Sequence, residues 1–266
     1  MKSRITGTRR VAALMVVALA AAAAAAQPAR AALGAGTIRV VPDGIVMTRD
    51  HTTVLLEPYA PNVIRVSIST LKSYALAPPG YGIIAKPDIA GWRYARTATG
   101  ATYSSSRLSV KILGPPRHHS PHLLGQARVN RYFSDNGAPH YANVRLRFQL
   151  PDGHAVVTLK KWFMSRPSYG AGDMDILHDR RPSDPPFYRV GAVFSAQHGE
   201  HYYGLGENQQ GRLDHRDQSV RCWSDYWAAG GERFCVPFMV TNKDYAVLWD
   251  NPSKTTVHPY FNDRTT

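Results

Sequence analysis

Beyond residue 31, apolar and polar positions alternate with a period of two along most of the chain. Ile64, Val66 and Ile68 alternate with Arg65 and Ser67, and Leu108, Val110 and Ile112 alternate with Ser109 and Lys111. Val144, Leu146, Phe148 and Leu150 alternate with Arg145, Arg147 and Gln149. A period of two places every second side chain on one face, so each run predicts a strand with one side against a core. No window of a dozen residues in this part carries a helical stripe. Pro42-Asp43-Gly44 and Pro151-Asp152-Gly153 fall between alternating runs and predict two hairpins. Segments 115–125 and 165–186, rich in Pro, Gly, Asp or His, predict long surface loops. Many short strands separated by turns predict an all-β protein, a large antiparallel β-sandwich.

The first residues follow a different rule. Lys2, Arg4, Arg9 and Arg10 precede an apolar run over 11–26 that is short for a bilayer span, and Ala29-Arg30-Ala31 has the small-x-small form of a cleavage site. The expectation is a signal peptide over 1–31, a mature domain over 32–266, a secreted or periplasmic location, and no membrane contact after cleavage. Removing 1–31 takes five basic residues and no acidic one, which reduces the formal net charge from +13 to +8. The remaining lysines and arginines are scattered and form no run of five or six. A solvated basic surface is expected from this, and nucleic acid is not expected as a partner.

Candidate chemistry is sparse. Cys222 and Cys235 flank a short polar loop; in an oxidising compartment two states are open, a bridge or two separately buried thiols. His118, His119 and His122 lie among prolines with no cysteine or carboxylate close by, so no metal is expected. No cofactor is expected either, since "GLGENQ" lacks the glycine spacing and following helix of a phosphate loop. Between Cys222 and Cys235, Trp223, Asp225, Tyr226 and Trp227 bring two indoles, a phenol and a carboxylate together. Aromatic faces stack on sugar rings and a carboxylate accepts hydrogen bonds from hydroxyls, so this loop is the candidate substrate-binding element. The alternative is that both tryptophans are core residues.

The C-terminal third carries a resemblance. "HYYGLGENQQGRLDHRD" is followed by "VPFMVTNKDYAVLWDNPSKTTV", and together they resemble the end of the N-terminal β-sandwich of glycoside hydrolase family 31, the α-glucosidases and α-xylosidases. Tyr203, Gly204, Gly206 and Glu207 match a tyrosine-glycine-x-glycine-glutamate element, Pro237 and Phe238 a proline-phenylalanine strand, and the segment 245–251 a late strand. Upstream, "EPYAPNVIRVSIS" resembles an early strand with an arginine between aliphatics. Two departures stand out: Tyr245-Ala246 replaces a tyrosine-glycine pair, and Asp225 stands one position early relative to a tryptophan-asparagine-x-aspartate loop.

The resemblance implies a galactose mutarotase-like supersandwich that packs on a (β/α)8 barrel and contributes a loop to a pocket for an α-linked oligosaccharide. It implies that Tyr203, Gly204, Gly206, Glu207, Pro237 and Phe238 shape the rim where the two domains meet. In the family the catalytic aspartates of the retaining mechanism lie on the barrel; no residue here matches them, so no catalytic residue is assigned. The parent would be a hydrolase of carbohydrate metabolism, with this chain expected to be inactive alone. Two other classes remain: an independent carbohydrate-binding module using the Trp223–Trp227 platform, and a mutarotase-like enzyme, which would need a histidine acid and a carboxylate base in one cleft.

Overall fold

The computed structural model describes residues 37–49, 51–97, 100–114, 140–142, 144–164, 188, 190–208, 211–222, 233–250, 253 and 255–259. The predicted signal peptide, the His118, His119 and His122 trio, the segments 115–125 and 165–186, and the loop with Trp223, Asp225, Tyr226 and Trp227 lie outside the described residues.

The first sheet is an antiparallel meander of β1 (Thr37–Val41), β2 (Gly44–Arg49), β3 (Thr52–Ala60) and β4 (Val63–Ser69). The first predicted hairpin is present, with Val41 paired to Gly44 across Pro42-Asp43. Gly44 is required there: its φ is 152°, and a Cβ would run into the carbonyl of Leu56. A single helical turn, α1 (Lys72–Ala75), is the one helix among the described residues.

The larger sheet contains β5 (Arg93–Thr97), β6 (Gly100–Ser104), β7 (Ser109–Leu113), β8 (His140–Ala142), β9 (Arg145–Gln149), β10 (Ala155–Met164) and β11 (Val190–Phe194). Its order is β11-β10-β9-β7-β6-β5, with β8 pairing to β10 off that path. The second predicted hairpin joins β9 to β10: Leu150 N–H donates to the His154 carbonyl (2.9 Å) and His154 N–H to the Asp152 carboxylate (2.8 Å).

The alternating apolar positions of the two sheets meet in one core. Ile45, Met47, Val54 and Leu56 come from the first sheet, and Ala101, Tyr103, Val110, Ile112, Leu146, Leu159, Trp162 and Met164 from the second. Ile64, Val66, Ile68, Leu108 and Phe148, all apolar in the sequence pattern, pack against it. Each fully buried aliphatic of this kind stabilises the fold by roughly 1.5–3 kcal/mol relative to exposure. The described residues thus form the all-β, antiparallel sandwich that the alternation predicts.

The chain then leaves β11 and forms smaller sheets. β12 (Tyr202–Gly204), β16 (Phe238–Thr241) and β17 (Ala246–Leu248) make one in the order β12-β16-β17. β13 (Glu207–Asn208) pairs with β15 (Arg233–Phe234), and β14 (Val220–Cys222) with β18 (Thr255–Val257). Tyr202, Leu205, Val220 and Met239 form a second core, flanked by Trp249 and Val257.

Candidate functional site

The glycine-rich element of the sequence is a junction between two of these small sheets. Gly204, Leu205 and Gly206 have φ values of 98°, 61° and 87°, three successive left-handed residues that swing the chain from β12 into β13. Side chains oppose this path. At Gly204 a Cβ would lie 2.6 Å from the Phe238 carbonyl oxygen, and at Gly206 the Phe234 carbonyl occupies its place. Leu205 bears the strain of a positive φ, offset by near-complete burial in the second core and by its N–H donating to the Phe238 carbonyl at 2.8 Å.

Around this junction lies a polar network. Glu200 is fully buried; it accepts the Tyr245 hydroxyl at 2.5 Å and the Gln197 N–H at 2.6 Å. Burial and the Glu200 carboxylate push the Tyr245 phenol far above its ordinary pKa, so it stays a donor. Asp214 accepts from the Tyr202 N–H (3.1 Å) and the Arg216 N–H (3.0 Å) and pairs with His201 Nδ1 (2.6 Å). Burial pushes the Asp214 carboxyl up, but the hydrogen bonds from His201, Tyr202 and Arg216 outweigh it and hold the group below its ordinary value. His215 Nε2 meets the Gly204 carbonyl at 2.8 Å and so braces the same turn.

Two further features surround the candidate loop. Cys222 and Cys235 are joined in a disulfide with their Cα atoms 4.9 Å apart. The loop they flank therefore leaves β14 and returns after β15 at almost one point. Beside it, register places Phe238 opposite Leu248, and Val240 opposite both Tyr203 and Ala246. Pairs in register share a face, and on this one Phe238 (42%), Val240 (39%) and Leu248 (53%) are exposed, with Phe234 and Val236 exposed just upstream.

A model of the glycosyl hydrolase 31 N-terminal galactose mutarotase-like domain matches residues 53–258. The chain belongs to that family. Solved structures show the same fold: a GH31 α-xylosidase from Xanthomonas citri (18% identity, TM-score 0.56) is matched over 84% of this chain and 19% of its own. A soil-metagenome GH31 α-xylosidase complexed with xylose (16%, TM-score 0.54) is matched over 85% and 30%, and a GH31 dextranase from Flavobacterium johnsoniae complexed with isomaltotriose (10%, TM-score 0.55) over 86% and 23%. The chain thus spans less than a third of each of these enzymes. No curated protein matches the sequence.

Within this family 31 domain, Tyr203, Gly204, Gly206, Glu207, Pro237 and Phe238 gather at the β12–β13 turn and the β16 strand it contacts. Glu207 is exposed; the carboxylate buried at this junction is Glu200. Ala246, in place of a glycine, is tolerated because its methyl group points to solvent on the exposed face. The Glu200–Tyr245 and His201–Asp214 pairings could not be read from the sequence: the first joins residues 45 apart, and although Tyr245, His201 and Asp214 lie within matched elements, nothing in those elements says which side chains meet. Among the described residues there is no cluster of three metal-binding side chains, and no helix is long and apolar enough to cross a membrane.

Proposed function

We propose that this chain serves as the exported N-terminal domain of a retaining α-glycosidase, an α-xylosidase or α-glucosidase. It packs on a (β/α)8 barrel through the face of Phe238, Val240 and Leu248. The loop of Trp223, Asp225, Tyr226 and Trp227 then completes the pocket for an α-linked oligosaccharide. The observation that carries this reading is the exposed apolar sheet face beside a loop whose stems are tied by the Cys222–Cys235 disulfide. Core-like residues left in solvent on a domain that spans under a third of its solved relatives call for a covering partner. Residues 1–31 act as the export signal, and oxidation in that compartment supports the bridge.

The test is an assay of the purified chain on aryl α-xyloside and aryl α-glucoside, alone and mixed with a family 31 barrel. No turnover alone and capture of the barrel, lost in Phe238→Asp, support the reading; turnover by the chain alone well above background overturns it. Calorimetric titration with xylose- and glucose-containing oligosaccharides separates it from an independent carbohydrate-binding module, which would bind without the barrel.

A further inference from the structure

The strands of the larger sheet contain no acidic residue: RYART, GATYS, SVKIL, HYA, RLRFQ, AVVTLKKWFM and VGAVF make up β5 to β11. They carry seven arginines and lysines, and the register assembles most of these on one face. Val110, Ile112 and Leu146 point into the core, so Lys111, Arg145 and Arg147 point outward. Lys111 stands directly opposite Arg147. Arg145 is the next outward residue on β9. The β9–β10 register ends at Leu146↔Leu159, which places the exposed Lys160 next along β10, where Arg145 comes next along β9. Arg93 adds a charge at the edge, paired in register with Ser104.

Strands lie ~4.8 Å apart and alternate side chains on one face ~7 Å apart, so these cations form a compact two-dimensional array. Like charges directly opposite each other repel and destabilise a sheet. The ion pairs among the described residues, Arg65–Glu57, His201–Asp214 and Arg216–Asp217, include none of this array. The outward neighbours Thr102, Ser104 and Ser109 carry hydroxyl groups, whereas Gln149 is buried with its amide on the Gly153 carbonyl. The aromatic residues of β5, β6 and β9, namely Tyr94, Tyr103 and Phe148, turn to the core. The described outward positions of β5, β6, β7 and β9 therefore offer no ring on which nucleic-acid bases could stack; the half-buried Phe163 and the exposed Val190 and Phe194 lie further along the sheet, on β10 and β11.

We propose that this face binds a carboxylate-bearing polysaccharide, a polyuronate, with Lys111, Arg145 and Arg147 as its central contacts. Arginine matches a carboxylate with a two-pronged hydrogen bond, and the surrounding hydroxyl groups of Thr102, Ser104 and Ser109 suit sugar hydroxyls. Such binding tethers the domain to an acidic glycan matrix. It rests on charge and register alone, independently of any docking to a barrel.

The experiment is calorimetric titration of the full chain with polygalacturonate, with dextran, double-stranded DNA and phosphatidylserine vesicles as comparison probes. Polygalacturonate is expected to bind in low salt and release in high salt, and dextran to show no binding that depends on this face. The double variant Lys111→Gln/Arg147→Gln is expected to weaken polygalacturonate binding about ten-fold. Arg39→Gln/Lys72→Gln, which removes the same charge from exposed positions elsewhere, is expected to leave it unchanged. Lys111→Arg keeps the charge and is expected to keep the binding. Thermal melting of each variant checks folding, with removal of the Lys111–Arg147 repulsion expected to leave the midpoint unchanged or higher. Absence of polygalacturonate binding overturns the proposal, as does equal weakening in the Arg39/Lys72 variant. DNA or vesicles binding at least as tightly with the same sensitivity to Lys111 and Arg147 also overturns it.

Discussion

Arg65 on β4 stands directly opposite Glu57 on β3, and the two side chains form an ion pair that is almost closed to solvent. Arg65 also donates to the Ala77 carbonyl at 3.1 Å, which fastens the segment after α1 to the first sheet. Removing one partner of a buried pair leaves the other charge unpaired, at a cost of about 3–5 kcal/mol. Glu57→Ala is therefore expected to lower stability in urea unfolding by about that amount. The double change Glu57→Leu/Arg65→Met, which leaves no orphan charge, should lose clearly less than Glu57→Ala does.

The Tyr245–Glu200 pair joins the β16–β17 hairpin to the turn that leads from β11 into β12. Tyr245→Phe leaves Glu200 Oε1 without its donor while preserving shape. A buried acceptor left unsatisfied costs about 1–3 kcal/mol, and chemical denaturation at neutral pH should read a loss in that range.

Asp214 gives the fold a defined response to acid. Its folded-state pKa is depressed, so its stabilising contribution is fully present above the unfolded value near 3.8 and is lost as pH falls through the folded value. Asp214→Asn is expected to melt below the wild-type chain at pH 7. The gap between the two should narrow progressively as the buffer is taken below 3.8. A gap that stays constant down to strongly acid pH would show that the side chain acts through shape alone.

The Cys222–Cys235 bridge closes a loop of 13 residues, for which chain entropy predicts about 3 kcal/mol of stabilisation. Cys222→Ser/Cys235→Ser should lower the unfolding midpoint. It should also make the 223–232 segment the first site of limited proteolysis, with the main sandwich still resistant.

The apolar face makes its own prediction. Phe238→Ser combined with Leu248→Ser changes two side chains already largely in water, so the melting temperature should move little. Sedimentation velocity should show less self-association than in the parent chain. A loss of several kcal/mol would place both residues in a core and remove the docking face.

The alternation around Ile64, Val110 and Leu146 and the Pro-Asp-Gly turns were sufficient to read strands, hairpins and an all-β sandwich. Strand formation and tight turns are local: a period of two and a positive-φ glycine depend on neighbours within a few residues. The family was legible for a related reason, because Gly204 and Gly206 occupy backbone conformations that tolerate few other residues. What depends on pairing between distant segments could not be read this way. Sequence left the cysteines open between two states, since only the folded chain brings Cys222, at the end of β14, to Cys235, just after β15. Glu200 looked like one acid among many until the chain folded it under Tyr245. The lysines and arginines, scattered along the chain, became an array only when antiparallel register set Lys111 against Arg147. Register is decided by how two cores' worth of side chains pack, which is a property of the whole sheet and not of any window of sequence.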